Sequence, residues 1–116
     1  MPIEIQVDRE SDVTFVSCRG FIAVRDLADL HASLRVVERP TRRVLIDVSQ
    51  ANFGLPYPDI EWFAQLKRAC ARVAVFAPRP VAFGLSRMYQ TLSSSGGAFA
   101  VFSDRNKAEA WLQAPD

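Results

Sequence analysis

Histidine occurs once in this 116-residue chain, lysine twice and cysteine twice. Each scarcity removes a class of chemistry. A single histidine, His31, with no neighbouring cysteine or acid pair builds neither a zinc site nor a Ser-His-Asp triad. Cys18 and Cys70 stand far apart with no Cys-x-x-Cys motif, which reads as two reduced, buried thiols rather than a redox pair. Glycine-rich phosphate loops are missing too. Gly84 stands alone in a helical pattern and Gly96-Gly97 follows a helix instead of opening one, so no G-x-G-x-x-G or G-x-x-x-x-G-K-[ST] cradle exists. Neither sign of charge dominates: 14 Lys and Arg against 13 Asp and Glu leave a net charge of +1. Such a balance provides no field for nucleic acid or an anionic membrane. No apolar run approaches the ~20 residues of a membrane span, and Met1-Pro2-Ile3-Glu4 lacks the basic region of a secretory leader. The expectation is a soluble, cytoplasmic chain, residues 1–116 forming one domain, without metal or cofactor.

What is present is a strong alternation of strand and helix signals. Ile3, Ile5 and Val7 alternate with Glu4, Gln6 and Asp8, the period of an edge strand with one wet face. A polar turn over Asp8 to Asp12 then leads into a second strand, Val13 to Arg19, and so short a turn makes the pair an antiparallel hairpin. Gly20 ends that strand in this reading. Leu27, Leu30, Leu34 and Val37 form a helical stripe, with Asp26 in the first turn, where a negative charge suits the helix dipole. Glu38-Arg39-Pro40 closes the helix.

Arg43 to Val48 is apolar on both faces, as in a central parallel strand. Ser49 to Pro58 reads as a loop, and Asp59 as the N-cap of a helix reaching Ala69 or Cys70. Val73 to Ala77 is a further strand buried on both faces. Pro80 suits the first turn of a helix, along which Val81, Leu85, Met88 and Leu92 form the inward stripe. Ala98 to Phe102 is the next buried strand. Ser103 or Asp104 caps a last helix, with Ala108, Trp111 and Leu112 facing inward. The predicted order is β-β-α-β-α-β-α-β-α: an α/β domain with a five-stranded, mostly parallel sheet and an N-terminal antiparallel edge strand.

Chemistry-bearing residues do not converge in this layout. Asp47 falls at the end of the third strand, where α/β sheets place ligands. A phospho-accepting aspartate there needs a carboxylate cluster for Mg²⁺ and a nearby lysine, and the strand ends supply neither. Asp47, with Ser49 beside it, is therefore expected to structure the loop by accepting backbone N–H bonds. Asp59 and Glu61 lie about 200° apart around their helix and form no acid-base pair. Two helix positions break pattern. Phe83 points away from the Val81–Leu85–Met88 stripe, on the face carrying Arg87 and Gln90. Ile60 and Trp62, about 160° apart, do not both face inward. Either the proline-rich loops cover these side chains or they form an exposed apolar patch for a partner.

The hairpin, the first helix, Val44-Leu45-Ile46-Asp47-Val48-Ser49 and Val73-Ala74-Val75-Phe76 resemble the STAS family, the sulfate transporter and anti-sigma-factor antagonist domains. Ala82-Phe83-Gly84-Leu85-Ser86-Arg87-Met88, Val101-Phe102-Ser103-Asp104 and Ala108-Glu109-Ala110-Trp111-Leu112 are similar to its uncharacterised small bacterial branch, which is grouped with the CRAL-TRIO lipid-binding domains. The resemblance implies crossover helices mostly on one side of the sheet, with the other side covered by a loop, a second copy or a ligand. It also implies a non-catalytic interaction domain that binds a protein partner or itself as a homodimer, or alternatively a lipid-like apolar small molecule. Antagonist members place Asp-Ser-Ser-Gly after the Asp-x-Ser strand end, where a kinase partner phosphorylates a serine. Here Asn52-Phe53-Gly54-Leu55-Pro56-Tyr57 has no hydroxyl before Tyr57, and Ser49 precedes the loop, so that phospho-switch is not expected. The candidate contact residues are Phe53, Leu55, Tyr57, Trp62, Phe83 and Arg87.

Overall fold

Alternation in Ile3–Asp8 and the β-branched run that follows produce the hairpin of β1 (Ile3–Asp8) and β2 (Val13–Ile22), paired antiparallel from Ile3 opposite Cys18 to Asp8 opposite Val13. Its turn is held by the Asp8 carboxylate, whose Oδ1 accepts from the N–H groups of Glu10 at 3.0 Å and Ser11 at 3.4 Å. Asp12 takes the left-handed conformation, φ 58°, which a short polar side chain tolerates. The computed structural model describes residues 3–35, 41–64, 72–92 and 98–114. Among them are α1 (Val24–Arg35), β3 (Arg43–Phe53), α2 (Tyr57–Ala64), β4 (Arg72–Phe76), α3 (Pro80–Leu92), β5 (Ala98–Phe102) and α4 (Arg105–Gln113). The five strands form one sheet in the order β1-β2-β3-β4-β5, and every pair after the first is parallel.

Two apolar layers hold this sheet. On one face Val16, Cys18, Val44, Val48, Val73 and Val75 meet Leu27 and Leu30 of α1 and Ala82 of α3. On the other face Val13, Leu45 and Ala74 meet Ala108 and Leu112 of α4. Ile22, Leu45 and Leu112 are among the largest fully buried side chains, and burying each contributes about 1.5–3 kcal/mol relative to leaving it in water. The helix ends are secured locally. The Asp26 carboxylate reaches back to the Ala23 N–H at 2.9 Å, and Asp104 caps α4 by accepting the Asn106 N–H at 2.8 Å. At the other end of α4, Arg72 Nη1 donates to the carbonyls of Trp111 and Ala114 at 2.7 and 2.9 Å. A guanidinium at a helix C-terminus also complements the dipole.

Several expectations need correction. Gly20 does not end β2; it lies inside the strand at φ 71°. Opposite it, β3 runs five residues past Val48, so half of the expected Ser49 to Pro58 loop is strand. The cause is an irregularity in pairing: Ser17 faces Asp47, but Arg19 faces Gln50. Two steps along β2 thus span three along β3, a bulge that reverses which residues point inward. Val44, Ile46 and Val48 face the α1 layer before it, and Ala51 and Phe53 do so after it. Asp47 is consequently within β3, not at its end.

Asp59 does not cap α2. The helix begins at Tyr57, and the Asp59 and Ile60 N–H groups donate to the Pro56 carbonyl. Pro58, which has no N–H to satisfy, falls naturally in the first turn. β5 is partly buried rather than covered on both faces, because it forms the far edge of the sheet. The second face is covered by α4 itself, since the chain leaving an edge strand has no further strand to reach and can fold onto the open side. Val37, Glu38 to Pro40, Ala69, Cys70 and Gly96-Gly97 lie outside the described residues.

Candidate functional site

The carboxyl ends of β2 and β3 are braced from several elements. Asp47 Oδ1 accepts the Ser49 N–H at 2.9 Å, and Asp47 Oδ2 accepts from Arg105 Nη1 at 3.1 Å. Arg105 also pairs with Glu109 one turn along α4, at 3.1 Å. Arg79, ahead of α3, donates from Nη2 to the Ala51 carbonyl. The Asp47 carboxylate is thus occupied in fixing the bulge and joining it to α4. Where β3 ends, the Gly54 N–H donates to the Ile22 carbonyl at 3.0 Å. The exposed Phe21 ring lies close over Gly54, so a side chain at that position would have to push the ring aside.

The candidate contact residues divide into two groups. Phe53, Leu55 and Phe83 are partly buried and pack against the core under α1. Phe83 therefore packs against the core, the covered one of the two alternatives the sequence left open. Tyr57, Trp62 and Arg87 are exposed. Among the α2 residues whose burial is described, Ile60 and Ala64 are buried, and Trp62 lies about 180° from their midpoint at 100° per residue. α2 packs against both α1 and α3, which leaves the Trp62 side to solvent.

α3 is turned over relative to the sequence reading. Its inward side is built from Ala82, Phe83, Ser86, Tyr89 and Gln90. Tyr89 packs on Phe99 with ring centroids 4.9 Å apart, and Gln90 Nε2 donates to the Phe99 carbonyl at 2.8 Å. Ser86 Oγ donates a hydrogen bond to the Ala82 carbonyl at 2.8 Å. The stripe expected to face inward lies on the outer side and flank: Val81 and Met88 are exposed, Leu85 and Leu92 half-buried. Across the adjacent helices α2 and α3, Tyr57 is 51%, Trp62 45%, Val81 72% and Met88 37% exposed. These are four of the six large apolar side chains exposed among the described residues; Ile5 and Phe21 are the others. Val81 and Met88 were missed because an amphipathic stripe ordinarily signals the core.

A groove of about 460 Å³ opens on the opposite face, where β1 and β2 meet the start of α4. Glu4, Gln6, Ser17, Arg19, Asp47 and Arg105 line it over a floor that includes Phe15 and Leu45. Its lining is mainly polar. Cys18 is buried beneath the α1 layer, and burial, with the charges of Asp47 and Asp26, pushes its thiol up to about 12. His31 is half-buried on α1. Among the described residues no three His, Cys, Asp or Glu side chains gather as a metal site, and no helix is long and apolar enough to cross a membrane.

No family model matches the chain, and no curated protein matches it. Its fold is similar to that of a solved structure, an uncharacterized protein from the DUF3478 family with a SpoIIAA-like fold from Shewanella loihica PV-4. The similarity has a TM-score of 0.63 at 21% identity, over 95% of this chain and 93% of that one. The chain therefore has an α/β fold of the SpoIIAA-like, or STAS-like, kind.

Proposed function

We propose that this chain is a non-catalytic interaction domain that binds a protein partner through the outer face of α2 and α3. The observation that carries the reading is the concentration of exposed Tyr57, Trp62, Val81 and Met88 on two adjacent helices. Exposed apolar surface of this kind has a cost in water that a partner relieves. Tyr57 and Trp62 are the aromatic types enriched at interface centres, and Arg87 supplies a charged contact on α3. Phe53, Leu55 and Phe83 serve as its support from beneath. Asp47 and Ser49 hold the neighbouring bulge of β3 and take no chemical part.

A lipid-like ligand is the less favoured occupant, because the groove on the other face is lined by charge. The domain acts in the cytoplasm, without metal, cofactor or the serine phospho-switch of antagonist relatives. The test is comparative capture: proteins retained by the immobilised wild-type domain, measured against Trp62→Ala and Val81→Ser. Each substitution is expected to weaken binding by about 2 kcal/mol with an unchanged melting temperature. Equal retention by wild type and both variants would overturn the assignment of this face.

A further inference from the structure

We infer that Gln90 is a clasp that closes the outer edge of β5 to the addition of another strand. β1 and β5 are the two edges of the sheet. An edge strand offers unpaired N–H and C=O groups to any extended chain, and charges, proline or a bulge ordinarily blunt it. β1 carries Glu4 and Asp8. β5 has no charge and no proline, and its register with β4 runs unbroken from Ala98 opposite Arg72 to Phe102 opposite Phe76. An uninterrupted apolar segment at a sheet edge is the kind that seeds strand-on-strand assembly. Its protection has to come from elsewhere in the fold.

The hydrogen bonds show which backbone groups of β5 look outward. The Phe102 carbonyl accepts the Ala77 N–H at 2.8 Å, so it points toward β4 and its continuation. Backbone groups alternate in direction along a strand. Ala98 and Ala100 therefore share the direction of Phe102, while Phe99 and Val101 turn their N–H and C=O groups away from β4. The outward Phe99 carbonyl is the one that Gln90 Nε2 occupies, at 2.8 Å. Tyr89, one residue earlier on α3, lays its ring on the Phe99 ring with centroids 4.9 Å apart. Two successive side chains of α3 thus hold the same edge residue. A strand added at this edge has to take the Phe99 carbonyl, and it reaches that carbonyl only by displacing Gln90.

Assembly of the purified protein under agitation, followed by thioflavin fluorescence, tests the clasp. Gln90→Met and Gln90→Leu keep a side chain of similar bulk on the helix and remove the donor. Each is expected to assemble about tenfold sooner than wild type, with an unchanged far-ultraviolet circular dichroism spectrum before assembly. Val101→Pro removes an N–H that looks outward, so it blocks strand addition without breaking a bond to β4. Combined with either Gln90 variant it restores the wild-type lag, and alone it folds. A wild-type lag in both single Gln90 variants overturns the clasp. Fast assembly that Val101→Pro does not slow overturns the β5 edge as its route, because assembly from the unfolded chain behaves that way. Unfolding of Val101→Pro alone overturns the outward placement of its N–H.

Discussion

Helices α3 and α4 both carry apolar stripes, and they turn them in opposite directions. On α4, Ala108 and Leu112 are buried against Val13, Leu45 and Ala74, with Trp111 packed beside them. Its ends are also closed, by the Asp104 cap and by Arg72 on the last carbonyls. On α3 the larger aliphatics stand outward or at the flank, and the sheet is met by one alanine, one phenylalanine and polar side chains. The difference teaches that an apolar stripe reports a side chain's preference to leave water, not which partner removes it from water. For α4 that partner is the domain's own sheet. For α3 the sheet is engaged by the Tyr89 ring and the Gln90 amide, and Val81 and Met88 of the stripe face solvent.

The comparison can be broken at its inner faces first. Leu112→Ala is expected to cost about 3 kcal/mol, from lost burial and the cavity left behind, read as a lower urea midpoint at constant slope. Phe83→Ala should cost about 2–3 kcal/mol by the same route, although Phe83 lies opposite the sequence-apparent stripe. A loss near zero would return Phe83 to the surface and restore the stripe to the core. Asp47→Asn is expected to cost about 1 kcal/mol, because it weakens the bonds joining the bulge to α4, while partner binding persists. Loss of binding in that folded variant would make Asp47 a contact residue. Val81→Ser sharpens the contrast at the small end, with a stability change within about 0.5 kcal/mol. A change of several times that size would show that the outer stripe is covered within the monomer.

Element order, strand direction and the α4 core were legible because alternation and helical spacing are local signals. Leu45 and Val73 were readable as buried from their neighbours alone, and the α4 cap as Ser103 or Asp104, of which the structure selects Asp104. The length of β3 was not legible. The extra residue around Ser49 breaks the alternation where the strand continues, and a broken alternation looks like a loop. Asp47 was correctly expected to accept a backbone N–H, yet its second partner, Arg105, lies 58 positions away and no local pattern joins them. On α3 the error was of direction. Ala82 and Gln90 gain their inward role only from the small space and the open carbonyl of an edge strand, which tertiary placement creates. Of the candidate contacts, Trp62 was legible as one of two incompatible positions, and the structure decides between it and Ile60.

Arg72 has a consequence for the order of assembly. It belongs to β4, yet it grips the final carbonyls of α4, the last described element to be synthesised. While a nascent chain is still growing, β2, β3 and β4 can pair and α1 and α3 can dock, but Leu45 and Ala74 remain bare on the opposite side. A half-finished domain is therefore a sheet with one oily side turned to the cell, a common starting point for aggregation. Completion of α4 and its capture by Arg72 close that side in one step. A chain interrupted before Trp111 would lack the buried Leu112 and the carbonyls that Arg72 holds, so this domain's vulnerability to truncation lies in its final turn of helix.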